Sequence, residues 1–293
     1  MPADAEQKAM QLLADADKKL KSAQGFFGSM FNAESKIIDA CELYSKAANS
    51  FKLSKKWSAG GSAYSKSAEL HFKVGNKHEA ATLYTEASHC YKRTEPHKAI
   101  ECLRKGNEIY TDMGRFTMAA KNHQAIAEIY EETIQDFEKS IYHYEQAADF
   151  YKGEEAHSTA NKCLLQVAKH SAMLEKYEKS IFIYEEVGRA AVDNALLKSS
   201  AKDYFFKAAI CHLCIDSLNA TQAITKYCEM YPAFQDSREY KLVKTLANKL
   251  EDQDLEGFQN AVADYESVTR FDKWNTEILS RIRAQLQESG DLC

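Results

Sequence analysis

Few residues in this chain break a helix. Only three of its 293 residues are proline (Pro2, Pro96 and Pro232) and eleven are glycine, and strand-like alternation of apolar and polar residues is hard to find. That scarcity argues against a sheet-based fold and predicts a nearly all-helical chain. No apolar run approaches the roughly 20 residues needed to cross a bilayer. The first residues, MPADAEQKAM, do not read as a signal peptide, and Pro2 stands where N-myristoylation needs glycine, so the expectation is a cytosolic protein. A basic excess is missing too: the net charge is −5, which argues against a nucleic-acid-binding protein. Phosphate-cradling loops of the GxxxxGK[ST] and GxGxxG kinds, HExxH and the GxSxG elbow are all absent, so an enzyme is not expected and no cofactor or metal is called for. Of the eight cysteines, Cys211 and Cys214 form a CHLC run in mid-helix with no second ligand pair at zinc spacing. Reduced cysteines acting as small apolar residues account for them best.

What the chain has instead is a twelve-residue phrase that keeps returning. It runs from Ala40 to Phe51 (ACELYSKAANSF), from Ala80 to Tyr91 and from Ser140 to Tyr151, and in weaker form from Ser180 and from Ala223 to Phe234. A small residue is followed by tyrosine at offset 4, a second small residue at 7 and an aromatic at 11, and those offsets share one face of an α-helix. The central tyrosines are Tyr44, Tyr84, Tyr144, Tyr184 and Tyr227, and a copy half a period on, from Ala99 to Tyr110, has Leu103 at that place. A period near 40 residues holds two helices and their turns, which is the signature of stacked helical hairpins. The small residues let neighbouring helices approach, and the aromatic fills the groove between them.

In chain order, residues 4–23 form a charged amphipathic helix with Met10, Leu13 and Leu20 on one side. Gly25 and Gly28 then break it, with Phe26, Phe27, Met30 and Phe31 crowded into the break. Four large apolar side chains in a short loop either fold back under the first hairpin or form an exposed tip that meets a membrane or a partner. Helix pairs follow at 35–54 with 57–74, 77–92 with 96–112, 116–132 with 137–152, 156–174 with 177–192, and 199–217 with 219–231. Residues 1–232 thus read as the repeat array. Residues 233–293 lack the phrase but keep helical apolar spacing, as in Phe271, Trp274, Ile278, Leu279 and Ile282, and read as a C-terminal helical bundle that caps the array. Between Glu251 and Glu266 lie six acidic residues and no basic one, a pattern that fits a solvated face.

One surface feature comes from phase. Lys121, Lys162 and Lys202 each stand six residues before an alanine of the repeat (Ala127, Ala168 and Ala208), at spacings of 41 and 40. Residues in one phase of a solenoid form a row. The phase fits both an ordinary solvated face and a basic stripe for an elongated acidic partner, whose binding would be salt-sensitive.

Several runs go beyond what helix packing dictates: IYTDMGRFTMAAKNHQAIAEIY (109–130), HYEQAADFYKGEE (143–155), STANKCLL (158–165), KSSAKDYFFKAAICH (198–212) and PAFQDSRE (232–239). With these the chain resembles the SNAP family of attachment proteins, the alpha/beta type most closely, over essentially its full length. The resemblance implies a twisted array of tetratricopeptide-like hairpins followed by a helical bundle. It implies an adaptor that links assembled SNARE four-helix bundles to the AAA+ ATPase NSF for their disassembly in vesicle fusion and trafficking. On that basis Lys121 and Lys162, with Lys202 as a third, grip the SNARE bundle. Phe26, Phe27, Met30 and Phe31 touch the membrane surface, and Asp216, Glu251 and Asp252 face the ATPase. The penultimate Leu292 stimulates ATP hydrolysis. Asn248 stands where the family commonly has glutamate, which removes one charge from the ATPase contact. A peptide-binding scaffold or co-chaperone of the tetratricopeptide kind is the alternative.

Overall fold

The computed structural model describes residues 2–24 and 33–291. Among them are fourteen α-helices and no strand. They are α1 (Pro2–Gln24), α2 (Ala33–Leu53), α3 (Trp57–Lys73), α4 (Lys77–Tyr91), α5 (Pro96–Asp112), α6 (Phe116–Ile129), α7 (Phe137–Gly153), α8 (His157–Met173), α9 (Tyr177–Val192), α10 (Ala201–Ile215), α11 (Ser217–Met230), α12 (Arg238–Glu251), α13 (Leu255–Glu266) and α14 (Lys273–Asp291). Contacts divide the chain into two units, residues 1–160 and 161–293.

In the first unit the repeat phrase is the core. Ala40, Tyr44, Ala47 and Phe51 are buried, as are Ala80, Tyr84, Ala87 and Tyr91, and Ser140, Tyr144, Ala147 and Tyr151. The half-period copy buries Ala99, Leu103, Gly106 and Tyr110 in the same way. Burial of such a face is the main drive for pairing, at roughly 25 cal/mol for each Å² of apolar surface removed from water. The first helix departs from expectation. Its buried seam is Ala9, Ala16 and Ala23, while Met10 is exposed and Leu13 and Leu20 are only partly covered. Alanines seven residues apart let α1 lie close on α2, and Tyr44 donates a hydrogen bond to Asp17 there. Helix α6 continues into a short π-helical segment, Tyr130–Ile134, before Asp136 caps α7 by accepting from the Lys139 N–H at 3.0 Å.

The second unit uses the same devices. Tyr184, Val187, Ala223, Tyr227 and Phe234 are buried. The ring of Phe205 stacks on Tyr227 with centroids 4.6 Å apart. Gly188 makes that stack possible, because a Cβ there would stand 2.7 Å from Phe205 Cε1. After Pro232, α12 packs on α10 and α11, α13 on α12, and α14 on α10 and α13.

A hydroxyl recurs at the close approach of paired helices. Ser140 Oγ donates to the Ala127 carbonyl at 3.0 Å in the first unit, and Ser180 Oγ to the Ala168 carbonyl at 2.9 Å in the second. The turns are equally uniform. Lys55, Gly75, Gly114, Gln135 and Glu155 in the first unit, and Glu175 and Gln253 in the second, have left-handed backbones. Except at Gln135, where Asp136 reaches six residues back to Tyr130 at 3.0 Å, the residue after each donates its N–H to a carbonyl five residues back, as Lys56 does to Phe51 at 2.9 Å and Asp254 to Lys249 at 2.9 Å, which closes the helix end.

Candidate functional site

The three lysines share one relation to their helices. Ala127, Ala168 and Ala208 are fully buried. Six residues advance an α-helix by about 240° beyond one full turn, so each lysine points away from the buried alanine. Lys121 on α6 and Lys162 on α8 are exposed, and neither forms an ion pair among the described residues. Lys202 on α10 differs. Its Nζ lies 3.1 Å from Oε1 of Glu239, whose side chain is only 10% exposed, and the Tyr265 hydroxyl donates to the same oxygen at 3.3 Å. Burial pushes the Glu239 carboxyl up, yet its backbone hydrogen bond and the Lys202 ammonium outweigh this and hold it below its ordinary value. Burial alone would lower Lys202, but the carboxylate raises it instead. Of the three lysines, two are therefore without an ion pair among the described residues and one is engaged with its own chain.

The acidic candidates meet at one end of the second unit. Asp216 joins α10 to α11 and caps the latter: its carboxylate accepts from the Asn219 N–H at 2.8 Å and from Asn219 Nδ2 at 2.6 Å. Ser217 Oγ reaches Glu251 Oε1 at 3.5 Å, which sets this turn against the end of α12. Asp252 follows, closing α12 with an N–H bond to the Asn248 carbonyl at 2.9 Å. The nearest lysine in sequence, Lys249, is taken up by Asp254 at 2.6 Å, and Asp254 in turn caps α13 through the Gly257 N–H at 2.8 Å. A Cβ at Gly257 would collide with that capping carboxylate. Asp216, Glu251 and Asp252 thus stay exposed, with no ion pair among the described residues. Ile215 and Leu218 flank Asp216, with 42% and 60% of their surfaces exposed.

Helix α14 leads to the C-terminus. It buries Trp274, Ile278, Leu279, Ile282 and Leu286. Trp274 Nε1 donates to the Lys169 carbonyl of α8 at 3.0 Å, and its ring meets Tyr184 edge-on at 5.9 Å. Arg281 Nη1 donates to the last carbonyls of α8, Ala172 at 3.3 Å and Met173 at 3.0 Å. Leu292 lies outside the described residues, as do Phe26, Phe27, Met30 and Phe31. Cys211 and Cys214 are packed in the core, where burial pushes the Cys211 thiol well up and the Cys214 thiol to about 12, so neither is a ready thiolate.

Spacing singled out the three lysines but not Glu239, which lies 37 residues from Lys202. Asp254, Lys249 and Gly257 were also missed. The signal for them was local: Asp-Leu-Glu-Gly, an acidic cap three residues before a glycine, ahead of a helical stretch.

Comparison with known proteins gives one family. The family described as "Soluble NSF attachment protein, SNAP" matches residues 7–287. The human alpha-soluble NSF attachment protein is 54% identical over 96% of this chain and 96% of its own length. The probable vesicular-fusion protein sec17 homolog of Schizosaccharomyces pombe is 35% identical over 96% of this chain and 97% of its own. Among solved structures, a signal-transduction ATPase with a tetratricopeptide-repeat sensor from Pyrococcus horikoshii matches 97% of this chain and 46% of that one, with a TM-score of 0.53 at 15% identity, a likeness of fold alone.

Proposed function

The chain belongs to the soluble NSF attachment protein family, and from that membership we propose an adaptor that holds assembled SNARE bundles and brings the ATPase NSF to them. The observation that carries the division of labour is electrostatic. Lys121 and Lys162 stand in one repeat phase, exposed and without an ion pair among the described residues, and suit an elongated acidic partner. Asp216, Glu251 and Asp252 gather at one end of the second unit and suit a basic domain of the ATPase. Long-range attraction of this kind chiefly speeds encounter and selects partners. Lys202 adds less to the grip, because binding a partner there competes with Glu239. Asn248 brings no charge to the acidic end.

The chain works at a membrane from the aqueous side in this reading, and none of its described helices is long and apolar enough to cross one. Phe26 and Phe27, with Met30 and Phe31, supply the membrane contact. Two inserted rings at roughly 1.5–3 kcal/mol each give weak, reversible anchoring that raises local concentration near membrane-bound SNAREs. Leu292 stimulates ATP hydrolysis once the ATPase is engaged.

The test is SNARE disassembly by purified NSF, with the wild-type chain, with Lys121→Glu/Lys162→Glu and with Leu292→Ala. Wild type should be required. The double lysine variant should fold normally and fail to capture SNAREs, and Leu292→Ala should capture them and fail to drive disassembly. A wild-type chain without effect would sink the adaptor reading in favour of a peptide-binding scaffold. Normal capture by the double lysine variant would sink the stripe alone.

A further inference from the structure

Helix α14 is held in the second unit by two kinds of contact that do different work: apolar packing, which sets it on α10 and α13, and hydrogen bonds, which reach α8. Ile278, Leu279, Ile282 and Leu286 bury an apolar face, and such burial is non-directional. It keeps the helix attached without fixing its bearing. The polar contacts are directional. Trp274 Nε1 meets the Lys169 carbonyl at 3.0 Å, and about two turns further along α14 the Arg281 guanidinium meets the carbonyls of Ala172 and Met173 at 3.3 and 3.0 Å. Those oxygens belong to the last turn of α8, where helix carbonyls lack helical partners and the helix dipole favours a cation. The same guanidinium is held from its own helix by Glu277 Oε1 at 3.3 Å and lies 4.0 Å from Glu175 in the α8–α9 turn. Fixed at both points, α14 has one register and one azimuth on α8. Helix α8 also carries Lys162, eleven residues before Met173, or about 16 Å along the axis.

We propose that Arg281 is a positioning residue: it sets the bearing of α14 on the helix that carries Lys162, so that a chain gripping its SNARE cargo presents its C-terminal end to the ATPase in one fixed orientation. This rests on the adaptor reading and adds a separable consequence. Losing Arg281 spares cargo capture and ATPase recruitment, which depend on exposed charges elsewhere, and reduces turnover.

The test uses the full chain with Trp57→Phe, so that Trp274 alone reports α14 docking by its emission. Arg281→Leu and Arg281→Lys are compared with the parent for SNARE capture, for NSF retention on the captured complex, and for kcat and half-saturating concentration in stimulated ATP hydrolysis. Arg281→Leu should capture and recruit within about twofold of the parent, keep Trp274 buried, and lower kcat about tenfold. Arg281→Lys should fall between, since an ammonium keeps a cation at the α8 carbonyls but has no second nitrogen for the Nε contact with Glu277 that holds the side chain in place. Unchanged kcat in Arg281→Leu overturns the proposal, whether or not Trp274 stays buried. So does a parallel loss of capture or recruitment, or a lysine variant no better than the leucine one. A parent that fails to stimulate NSF refutes the adaptor reading itself, before any variant is considered.

Discussion

Removing the Lys202 side chain should cost stability, whereas removing Lys121, its counterpart in phase, should not. In Lys202→Ala the Glu239 carboxylate remains, 10% exposed, with the Tyr265 hydroxyl and its backbone hydrogen bond as support. Breaking a fully buried pair costs roughly 3–5 kcal/mol. The Lys202 side chain is 42% exposed, so solvent screens this pair and the expected loss is about 1–2 kcal/mol. In thermal unfolding that is a fall of about 2–6 °C. Lys121→Ala should stay within about 0.5 kcal/mol of wild type. Lys202→Ala/Glu239→Gln should recover part of the loss, because the stranded charge is gone. The pH dependence follows from the directions of the shifts. Glu239 is held below its ordinary value, so its contribution is complete above about pH 4.3 and is lost as pH falls through the lower folded value. Lys202 is raised, so its contribution is complete below about pH 10.4 and is lost as pH rises through the higher folded value. Circular-dichroism melts of the four proteins at pH 7 and pH 3 would therefore show a gap between wild type and Lys202→Ala that closes in acid. Equal melting of Lys202→Ala and Lys121→Ala at pH 7 would refute the assignment of Lys202 to an internal pair.

Gly188→Ala forces a Cβ to within 2.7 Å of the buried Phe205 ring and should cost about 1–3 kcal/mol, read as a lower denaturant midpoint with an unchanged slope. His123 and His143 face each other with Nδ1 atoms 2.9 Å apart. Burial first, then the Arg104 charge, pushes His123 down to about 4, and burial, His123 and Arg104 push His143 down to about 3. Their folded values lie below the unfolded one, so the first unit should lose stability as pH falls from about 6.5 through 4 and below, and His143→Gln should make that acid slope shallower. Phe26→Ser/Phe27→Ser should reduce flotation of the chain with liposomes at least roughly tenfold and leave SNARE capture in free solution intact.

The helices were legible because the phrase repeats its buried face. Residues 77–92 were expected as a helix and α4 runs Lys77–Tyr91; 177–192 were expected and α9 runs Tyr177–Val192. The first helix was legible as a helix but not in its contact face, because alanine carries little hydrophobic signal. Ala9, Ala16 and Ala23 matter for being small, and Met10, the more apolar residue, faces solvent. The exposure of Lys121 and Lys162 was legible in the repeat phase, while the engagement of Lys202 was not, since no spacing rule joins α10 to the first turn of α12. The acidic end was reached through family resemblance. The charge pattern alone fits a solvated face, and only the packing of the α10–α11 turn against α12 sets Ser217, the neighbour of Asp216 in the chain, against Glu251. Arg281 carries no sequence signal, because its acceptors are backbone carbonyls more than 100 residues away.

The left-handed turn residues bear on how such a chain can change length. Lys55 and Gly75 lie 20 residues apart, and Gln135, Glu155 and Glu175 repeat that step. All but Gln135, which follows the π-helical segment, are followed by the same backbone hydrogen bond, so the chain leaves one helix and enters the next by the same local path wherever the device occurs. A cut at Gly75 and a cut at Gly114, which bracket the α4–α5 hairpin, leave ends of matching conformation. A whole hairpin can therefore be gained or lost between them with no new turn to invent. Lineages descended from such a chain should differ in size by whole hairpins, with intermediate insertions confined to the loops that lack the device.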